Sequence, residues 1–281
     1  MEKICDLHTH SVYSDGTFTP AELIDEAVKI GLSAIALTDH NTVDGLSEFI
    51  SYAREKNIEI VPGAEFSVDY KGREVHILGL FISSEHFEEV SELMMSVNRR
   101  KEESNIALIE SLRRAGYPLD YETIKAATPN GKINRAHIAA AMVEKGYIVS
   151  IKEGFDTILS KTAGYYKEPK RLSASEIIEF IRSIGAVSVL AHPFLNLNEQ
   201  ELVEFLSTAR GLDGIECYYS SYDEAMTEMS VRIAKEFGLL CSGGSDFHGA
   251  TKPGVKLGVG NGNLRVSFEN YLSLKNICVN R

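Results

Sequence analysis

Cys5-Asp6-Leu7-His8-Thr9-His10-Ser11-Val12-Tyr13-Ser14-Asp15 is the stretch around which the chain is organised. Ile4, Cys5 and Leu7 form a short apolar run, which predicts a β-strand at the start of the fold. His8 and His10 are two apart, and strand side chains at i and i+2 point the same way. Two imidazoles leaving one strand end side by side can grip a metal ion. Taken alone, the pair reads equally as two polar residues at a strand-to-loop junction. Asp15 and Gly16 then turn the chain and bring a carboxylate within reach. What decides between the two is where the remaining histidines and acids fall.

A simple unit recurs along the chain. Thr19-Pro20-Ala21-Glu22 has a capping Thr, a Pro at the first helical position and a Glu three residues after the cap. The helix is expected to stop at Gly31, and Ser33 to Thr38 to be a buried strand ending at Asp39 and His40. A helix from Val43 to Lys56 leads to a strand Ile58 to Pro62, which ends at Gly63-Ala64-Glu65. Phe66 to Tyr70 and Val75 to Phe81 flank the turn Lys71-Gly72 and read as strands, with His76 opening the second. The unit returns at Ser173-Ala174-Ser175-Glu176, a capping box whose helix ends at Gly185. Strand Ala186 to Leu190 then runs into His192-Pro193. Helix Glu199 to Arg210 leads to strand Asp213 to Cys217. Helix Asp223 to Phe237 leads to Leu239-Leu240-Cys241-Ser242, which runs into Asp246 and His248. Helices alternating with near-continuous apolar strands mean an α/β fold, a parallel sheet covered by helices. Every polar cluster except His76 lies at or just past the C-terminal end of a strand, the face on which a β/α barrel builds its active site.

The 281 residues allow one large or two ordinary domains, with 44% apolar and 25% charged residues typical of a globular chain. No apolar run approaches the roughly 18 to 20 residues of a membrane span. The N-terminus runs straight into the first strand, so no signal peptide is expected. Cys5, Cys217, Cys241 and Cys278 are scattered without a C-x-x-C spacing, which fits reduced thiols in a cytoplasm. The net charge of −11 argues against a general nucleic-acid coat. It is unevenly spread: Asn98 to Arg171 carries 14 Lys and Arg against 9 Asp and Glu, leaving 15 against 31 for the rest. That basic segment also breaks the rhythm. Ile106, Leu108, Ile109 and Leu112, then Ile138, Ala139, Met142 and Val143, keep helical spacing, and Gly116 and Gly146 are followed by Tyr rather than by a strand. A small helical domain is expected at 98–171, inserted between barrel segments 1–97 and 172–281. Its positive charge fits a surface facing an anion, or an ordinary solvated helical face.

Collected together, the strand-end polar residues are His8, His10, Asp15, His40, Glu65, His76, His192, Asp246 and His248, six of them among the chain's eight histidines. Each alone has an ordinary reading as a cap, a loop residue or an ion-pair partner. Nine at one end of successive strands would be costly to bury without cations to satisfy them. Mixed imidazole and carboxylate donors suit Mn, Fe and Zn.

The motifs D-L-H-T-H-S-x-x-S-D-G from Asp6, L-T-D-H-N from Leu37, G-A-E from Gly63, L-A-H-P from Leu190 and G-S-D-F-H from Gly244 resemble the PHP family, named for polymerase and histidinol phosphatase domains. The resemblance covers nearly the whole chain. It implies a distorted (β/α)7 barrel holding two or three divalent ions, Mn first among Mn, Zn and Fe. By resemblance, His8, His10, Glu65 and Asp246 hold a first ion, Asp15, His40 and His248 a second, and Glu65, His76 and His192 a third, with Glu65 bridging the first and third. The implied reaction is phosphoester hydrolysis by in-line attack of metal-bound hydroxide. In the insert, Asn134-Arg135-Ala136-His137-Ile138-Ala139 starts a helix, where Arg135 and His137 could meet an anion. An amphipathic helix with a solvated Arg and a hydrogen-bonded His reads the same residues as well or slightly better. The R-x-H-I-A pattern, however, is similar to the family branch of nucleoside 3′,5′-bisphosphate phosphatases and short-RNA 5′→3′ exonucleases, which implies that Arg135 and His137 hold substrate phosphate and that the insert faces the substrate. Ala163 to Pro169 and Glu216 to Tyr222 depart from that branch's G-P-A-Y-V-P and E-V-Y-x-P-x-H. Tyr165, Tyr166, Tyr218 and Tyr219 in these loops are available to stack on a base, or to pack as core or rim. The expected partner is a small nucleotide or a short RNA, with no long nucleic acid and no membrane. Histidinol phosphate hydrolysis and a non-catalytic metal-binding PHP module are the alternatives. The lone chain with all nine ligand types speaks against the module, and the basic R-x-H insert against histidinol phosphate.

Overall fold

A computed structural model describes residues 3–128, 133–167, 169 and 172–281, so Met1, Glu2, Glu168 and the expected closing residue of the insert, Arg171, lie outside the described residues. Strand β1 (Ile4–Asp6) is followed by helix α1 (Pro20–Lys29), which Thr19 and Glu22 cap reciprocally as the sequence predicts. Strand β2 (Ala34–Leu37) and helix α2 (Leu46–Ala53) come next; α2 is shorter than its apolar spacing suggests. Strand β3 (Glu59–Tyr70) is one continuous element of 12 residues rather than two strands. Its first half pairs in parallel with β2, and its second half turns back at Lys71 and Gly72 to pair with β4 (Arg73–Leu80). Both turn residues have positive φ, 52° and 76°, the conformation of a tight two-residue hairpin.

Helix α3 (Phe87–Arg114) leaves the sheet, and α4 (Tyr121–Ala127), α5 (Arg135–Glu144) and α6 (Ile151–Asp156) follow it. The chain then rejoins the sheet through α7 (Ala174–Ser183), β5 (Val187–Leu190), α8 (Glu199–Thr208), β6 (Gly214–Tyr219), α9 (Glu224–Phe237), β7 (Leu240–Gly244), β8 (Val266–Ser267) and α10 (Phe268–Val279). Two compact units result: Met1–Met94 with Arg171–Arg281, and Met95–Lys170.

In the first unit the strand order is β7-β6-β5-β4-β3-β2-β1-β8. The N–H of Leu7 donates to Gly243 C=O at 3.1 Å, and Thr9 bridges Phe247 in parallel, so the ends of β1 and β7 meet and the sheet nearly closes into a barrel. The barrel is distorted because β4 runs antiparallel to both β3 and β5, and because the two-residue β8 lies antiparallel on the outer edge of β1. Inward side chains such as Cys5, Ala34, Val61, Leu78 and Val189 pack with Tyr271 and Leu274 of α10. Full burial of each Leu or Val contributes about 1.5–3 kcal/mol. Helices present one apolar stripe to the sheet, as Ile177, Ile178 and Ile181 of α7 do.

The reversed β4 explains His76. A residue in the first half of an antiparallel strand lies at the same end as the C-termini of its parallel neighbours, so His76 falls beside Glu65 without breaking the rule for the site face.

The second unit has its own core, with Leu108, Ile109 and Leu112 of α3 packed on Ile138, Ala139 and Met142 of α5. Ile106 lies off that face and is 37% exposed, and Val143 is only partly covered.

Candidate metal centre

The loops beyond the strands are fixed by buried carboxylates before any ligand is considered. Asp6 accepts hydrogen bonds from Ser245 N–H (2.8 Å) and Gly258 N–H (2.8 Å) and from the Ser245 hydroxyl, tying β1 to the segment after β7. Burial pushes its carboxyl above the usual range although those donors pull it down. Asp39, at the end of β2, accepts from Ser11 N–H (2.8 Å) and Ser11 Oγ (2.6 Å) and holds the turn after His10.

Three overlapping groups of potential ligand atoms result, those of each group all within 4.8 Å of one another. The first is His8, His10, Glu65 and Asp246, all buried. Glu65 Oε2 lies 3.2 Å from both His8 Nε2 and His10 Nε2, and Asp246 Oδ1 lies 3.2 Å from His10 Nε2. The second is His10, Asp15, His40 and His248, with His248 Nε2 at 3.2 Å from Asp15 Oδ1. The third is His40, Glu65 and His76, with His76 Nδ1 at 2.7 Å from Glu65 Oε1. His192 Nε2 reaches the same Glu65 oxygen at 2.9 Å without joining that group. All nine strand-end residues are therefore drawn together around Glu65 and Asp15, and His10 and His40 each stand between two groups.

This donor set fits divalent ions. Glu65 Oε2 is fully buried and lacks any hydrogen bond, although three imidazole nitrogens stand 3.1 to 3.2 Å away. These nitrogens and the carboxylate oxygen crowd one small volume, as the ligands of a shared ion do. Ligands at about 2.0–2.2 Å from a shared ion are roughly 3.0–3.5 Å from each other, the spacing seen here. His192 Nδ1 is likewise buried without a partner.

The charges agree. Against burial, His40 and His76 hold Glu65 well below the carboxylate range, and His8 and His10 do the same for Asp246. Against burial, Asp246 and Glu65 hold His10 up at about 9, and Glu65 holds His76 at about 10. Burial and the neighbouring imidazoles of His10 and His76 push His40 down to about 3 despite Glu65, leaving that ring neutral and ready to coordinate.

Sequence reading did not single out Glu216 as a site residue. It is fully buried on β6, accepts from His8 Nδ1 at 3.0 Å and from His192 N–H at 2.7 Å, and so orients two candidate ligands at once. An acid between Ile215 and Cys217 in an otherwise apolar strand was the available signal.

Close backbone approach matters as much as charge. His192 (φ 27°) and Asp246 (φ 54°) both adopt left-handed backbone conformations, which strain a residue with a side chain and recur at functional sites. A Cβ on Gly244 would lie 2.4 Å from His8 Cβ. Gly244→Ala is therefore expected to displace His8, with metal content of the purified protein falling while far-UV circular dichroism stays native. Retained stoichiometry would show that the two segments can separate freely.

Arg135 and His137 are not part of this cluster; they belong to the second unit. Asn134 caps α5, and His137 Nδ1 accepts the Asn134 N–H at 3.1 Å, so the Nε2 of that ring carries the proton in its neutral form. The Arg135 guanidinium lies 4.2 Å over the Tyr166 ring and 5.3 Å from Phe155. The tyrosines divide between these roles. Tyr166 supports Arg135, and Tyr165 packs on the helical core. Tyr218 is partly buried against the barrel core, and Tyr219 is buried with its hydroxyl donating to Asp246 Oδ2 at 2.7 Å. His86 is a surface residue whose Nδ1 lies 3.3 Å from Glu89.

Residues 6–184 match the family model described as "PHP domain". The chain is 33% identical over 253 residues to a protein of Haemophilus influenzae named 5'-3' exoribonuclease, covering 88% of this chain and 91% of that one. It is 30% identical over 257 residues to the 3',5'-nucleoside bisphosphate phosphatase of Chromobacterium violaceum, covering 90% of each. Among solved structures, one described as a putative metal-dependent phosphoesterase from Bifidobacterium adolescentis superposes with a TM-score of 0.76 at 27% identity, covering 98% of this chain and 96% of that one.

Proposed function

The chain belongs to the PHP-domain family and is a metal-dependent phosphoesterase, and from that premise we propose that it removes the 3′-phosphate from nucleoside 3′,5′-bisphosphates. The observation that carries this is Glu65, whose buried, hydrogen-bond-free Oε2 lies among His8, His10 and His40 while its Oε1 meets His76 and His192, an arrangement suited to phosphoryl chemistry. His8, His10, Glu65 and Asp246 would hold one ion, Asp15, His40 and His248 a second, and Glu65, His76 and His192 a third, with Mn as the first candidate and Zn or Fe as the others. Bound ions of this kind polarise phosphoryl oxygens, lower the pKa of water and neutralise a leaving alkoxide.

The protein's own residues do the rest. Glu216 keeps His8 in the tautomer that presents Nε2 inward and fixes the backbone at His192. Asp39 and Asp6 hold the loops rigid. Arg135 and His137 are the proposed phosphate clamp. A guanidinium held over the Tyr166 ring by its cationic face keeps N–H donors for a phosphate, and His137 with Nδ1 engaged keeps Nε2–H as a second donor. The helical segment that carries them is net basic, whereas the remainder is strongly acidic, which favours a small anion over long nucleic acid. The relative named as an exoribonuclease supports a second reading, mononucleotide release from short 5′-phosphorylated RNA. The four cysteines are free thiols, as suits a reducing cytoplasm. No helix among the described residues is long and apolar enough to cross a membrane.

The test is incubation of metal-stripped protein, with and without Mn, with adenosine 3′,5′-bisphosphate, a short 5′-phosphorylated RNA and histidinol phosphate. Mn-dependent release of inorganic phosphate from the bisphosphate is the expected result. Preferred mononucleotide release would make the protein an exonuclease, and preferred cleavage of histidinol phosphate would overturn the nucleotide assignment. Binding of metal with all three left intact would return the chain to a structural module. Arg135→Ala should lower kcat/KM on the preferred ester by about 10- to 100-fold, the loss of one charge-assisted contact, with ion content unchanged. Loss of metal in that variant would make Arg135 a structural residue.

A further inference from the structure

We propose that Lys252 and Tyr219 are positioning residues that grip Asp246 by Oδ2, so that this carboxylate offers only Oδ1 to the first metal position. The inference rests on the metal-centre reading above and concerns residues outside the nine.

The two oxygens of Asp246 have separate surroundings. Oδ1 faces the imidazoles, 3.2 Å from His10 Nε2, 3.4 Å from His248 Nδ1 and 3.6 Å from His8 Nε2. Oδ2 faces away and accepts from the buried Tyr219 hydroxyl at 2.7 Å and from Lys252 Nζ at 2.6 Å. Two donors, one of them charged, saturate an oxygen and hold the plane of the carboxylate. The backbone is held too, since the Asp246 N–H donates to His8 C=O at 2.8 Å with φ at 54°.

Lys252 is not a loose surface lysine. It ends the turn Gly249–Thr251, whose Ala250 N–H donates to Thr17 Oγ1 (2.9 Å) and whose Thr251 hydroxyl donates to Asp15 C=O (2.9 Å). The segment that delivers the ammonium is thus stitched to the chain just after Asp15, itself a candidate ligand. A cation placed against a ligand carboxylate lowers the site's attraction for metal ions. Its placement is understandable if it supplies something else. A carboxylate that chelates with both oxygens occupies two coordination positions, whereas one held to a single oxygen leaves a position open for water or a substrate oxygen, the hallmark of a catalytic rather than a structural site. Tyr219 occupies the variable x of E-V-Y-x-P-x-H, so the device depends on this chain's own residue there.

The test uses Lys252→Met and Tyr219→Phe in the full chain, with Mn titrated into metal-stripped protein by calorimetry, the electron paramagnetic resonance spectrum of bound Mn, and steady-state kinetics on the preferred phosphoester. Both variants should keep the ion count and bind Mn as tightly or severalfold more tightly, with an altered Mn spectrum. In both, kcat should fall by about 10- to 100-fold with KM unchanged, the usual scale for an outer-shell partner. Lys252→Arg, which restores a cationic donor, should recover most of the loss. Metal loss in either variant would make the pair a fold support, a raised KM with normal kcat would make Lys252 a substrate contact, and an unchanged spectrum and rate would remove any role; each overturns the proposal. If Lys252→Met fails to fold, Tyr219→Phe alone decides, because it deletes one donor and leaves the charge. A wild type inert on every phosphoester, with variants that still change the Mn spectrum, would defeat the functional assignment and leave the positioning role standing.

Discussion

Glu65→Ala is expected to empty two metal positions together and to reduce phosphoester turnover by about 10³-fold or more, since Lewis-acid stabilisation by a bound ion is worth several kcal/mol and each 1.36 kcal/mol is tenfold in rate. No other candidate ligand is shared so widely. Its Oε1 serves His76 (2.7 Å) and His192 (2.9 Å), while its Oε2 is surrounded by His8, His10 and His40. Removing the carboxylate leaves five imidazoles in a buried pocket with less negative charge to oppose them. The pocket then accepts a cation poorly. Glu65→Gln keeps the volume and hydrogen-bonding shape but not the charge, and should lose the same ions. Elemental analysis of purified variants reads the outcome directly. A loss of one ion, or of none, would contradict the bridging role.

Stripping the metal is expected to abolish hydrolysis, with Mn restoring it, and the affinity for Mn should depend on pH in a definite sense. In the metal-free protein His10 and His76 titrate near about 9 and about 10, so at neutral pH both carry protons that an ion must displace. Mn uptake at pH 7 should therefore release protons, visible as a buffer-dependent heat of binding, and affinity should climb as pH rises toward 9 to 10. The metal-free fold should behave oppositely. A folded-state pKa raised above its unfolded value contributes stability in full below about 6.5 and loses it as pH rises through 9 to 10. Glu65 and Asp246, held low, contribute above about 4 and lose that contribution in acid. Metal-loaded and stripped protein should thus diverge in melting temperature as pH increases. Equal melting curves at pH 9, or Mn binding without proton release, would refute this account.

Much of this site is legible before any coordinates. A histidine pair spaced by one residue on an apolar strand has only one geometry available, because side chains alternate with a period of two. Strands that alternate with capped helices must run parallel, which gathers their C-terminal residues on one face. Those two rules bring His8, His10, His40, Glu65, His192, Asp246 and His248 together, and the capping boxes at Thr19 and Ser173 mark helix starts that the fold reproduces. The individual proteins this chain resembles sharpen the chemistry but are not needed to see the cluster.

What sequence periodicity could not supply is direction, reach and orientation. His76 looks misplaced until β4 is seen to run antiparallel, a property of hairpin pairing between distant backbone groups rather than of any local pattern. Ile106 has the spacing of a core residue but lies off the packed face, since helical period alone does not set which stripe a neighbour covers. Asp6, Asp39 and Glu216 stand in or beside the motifs, but the sequence assigns none of them a role at the site. Their roles arise only when strands and loops far apart in sequence place donors around them. The residue types and their order determined that a carboxylate-imidazole cluster would form at one end of an α/β barrel. Tertiary structure alone decided which oxygen of Asp246 faces that cluster, because its carboxylate orientation is set by Tyr219 and Lys252, donors that only the folded chain brings within hydrogen-bonding distance.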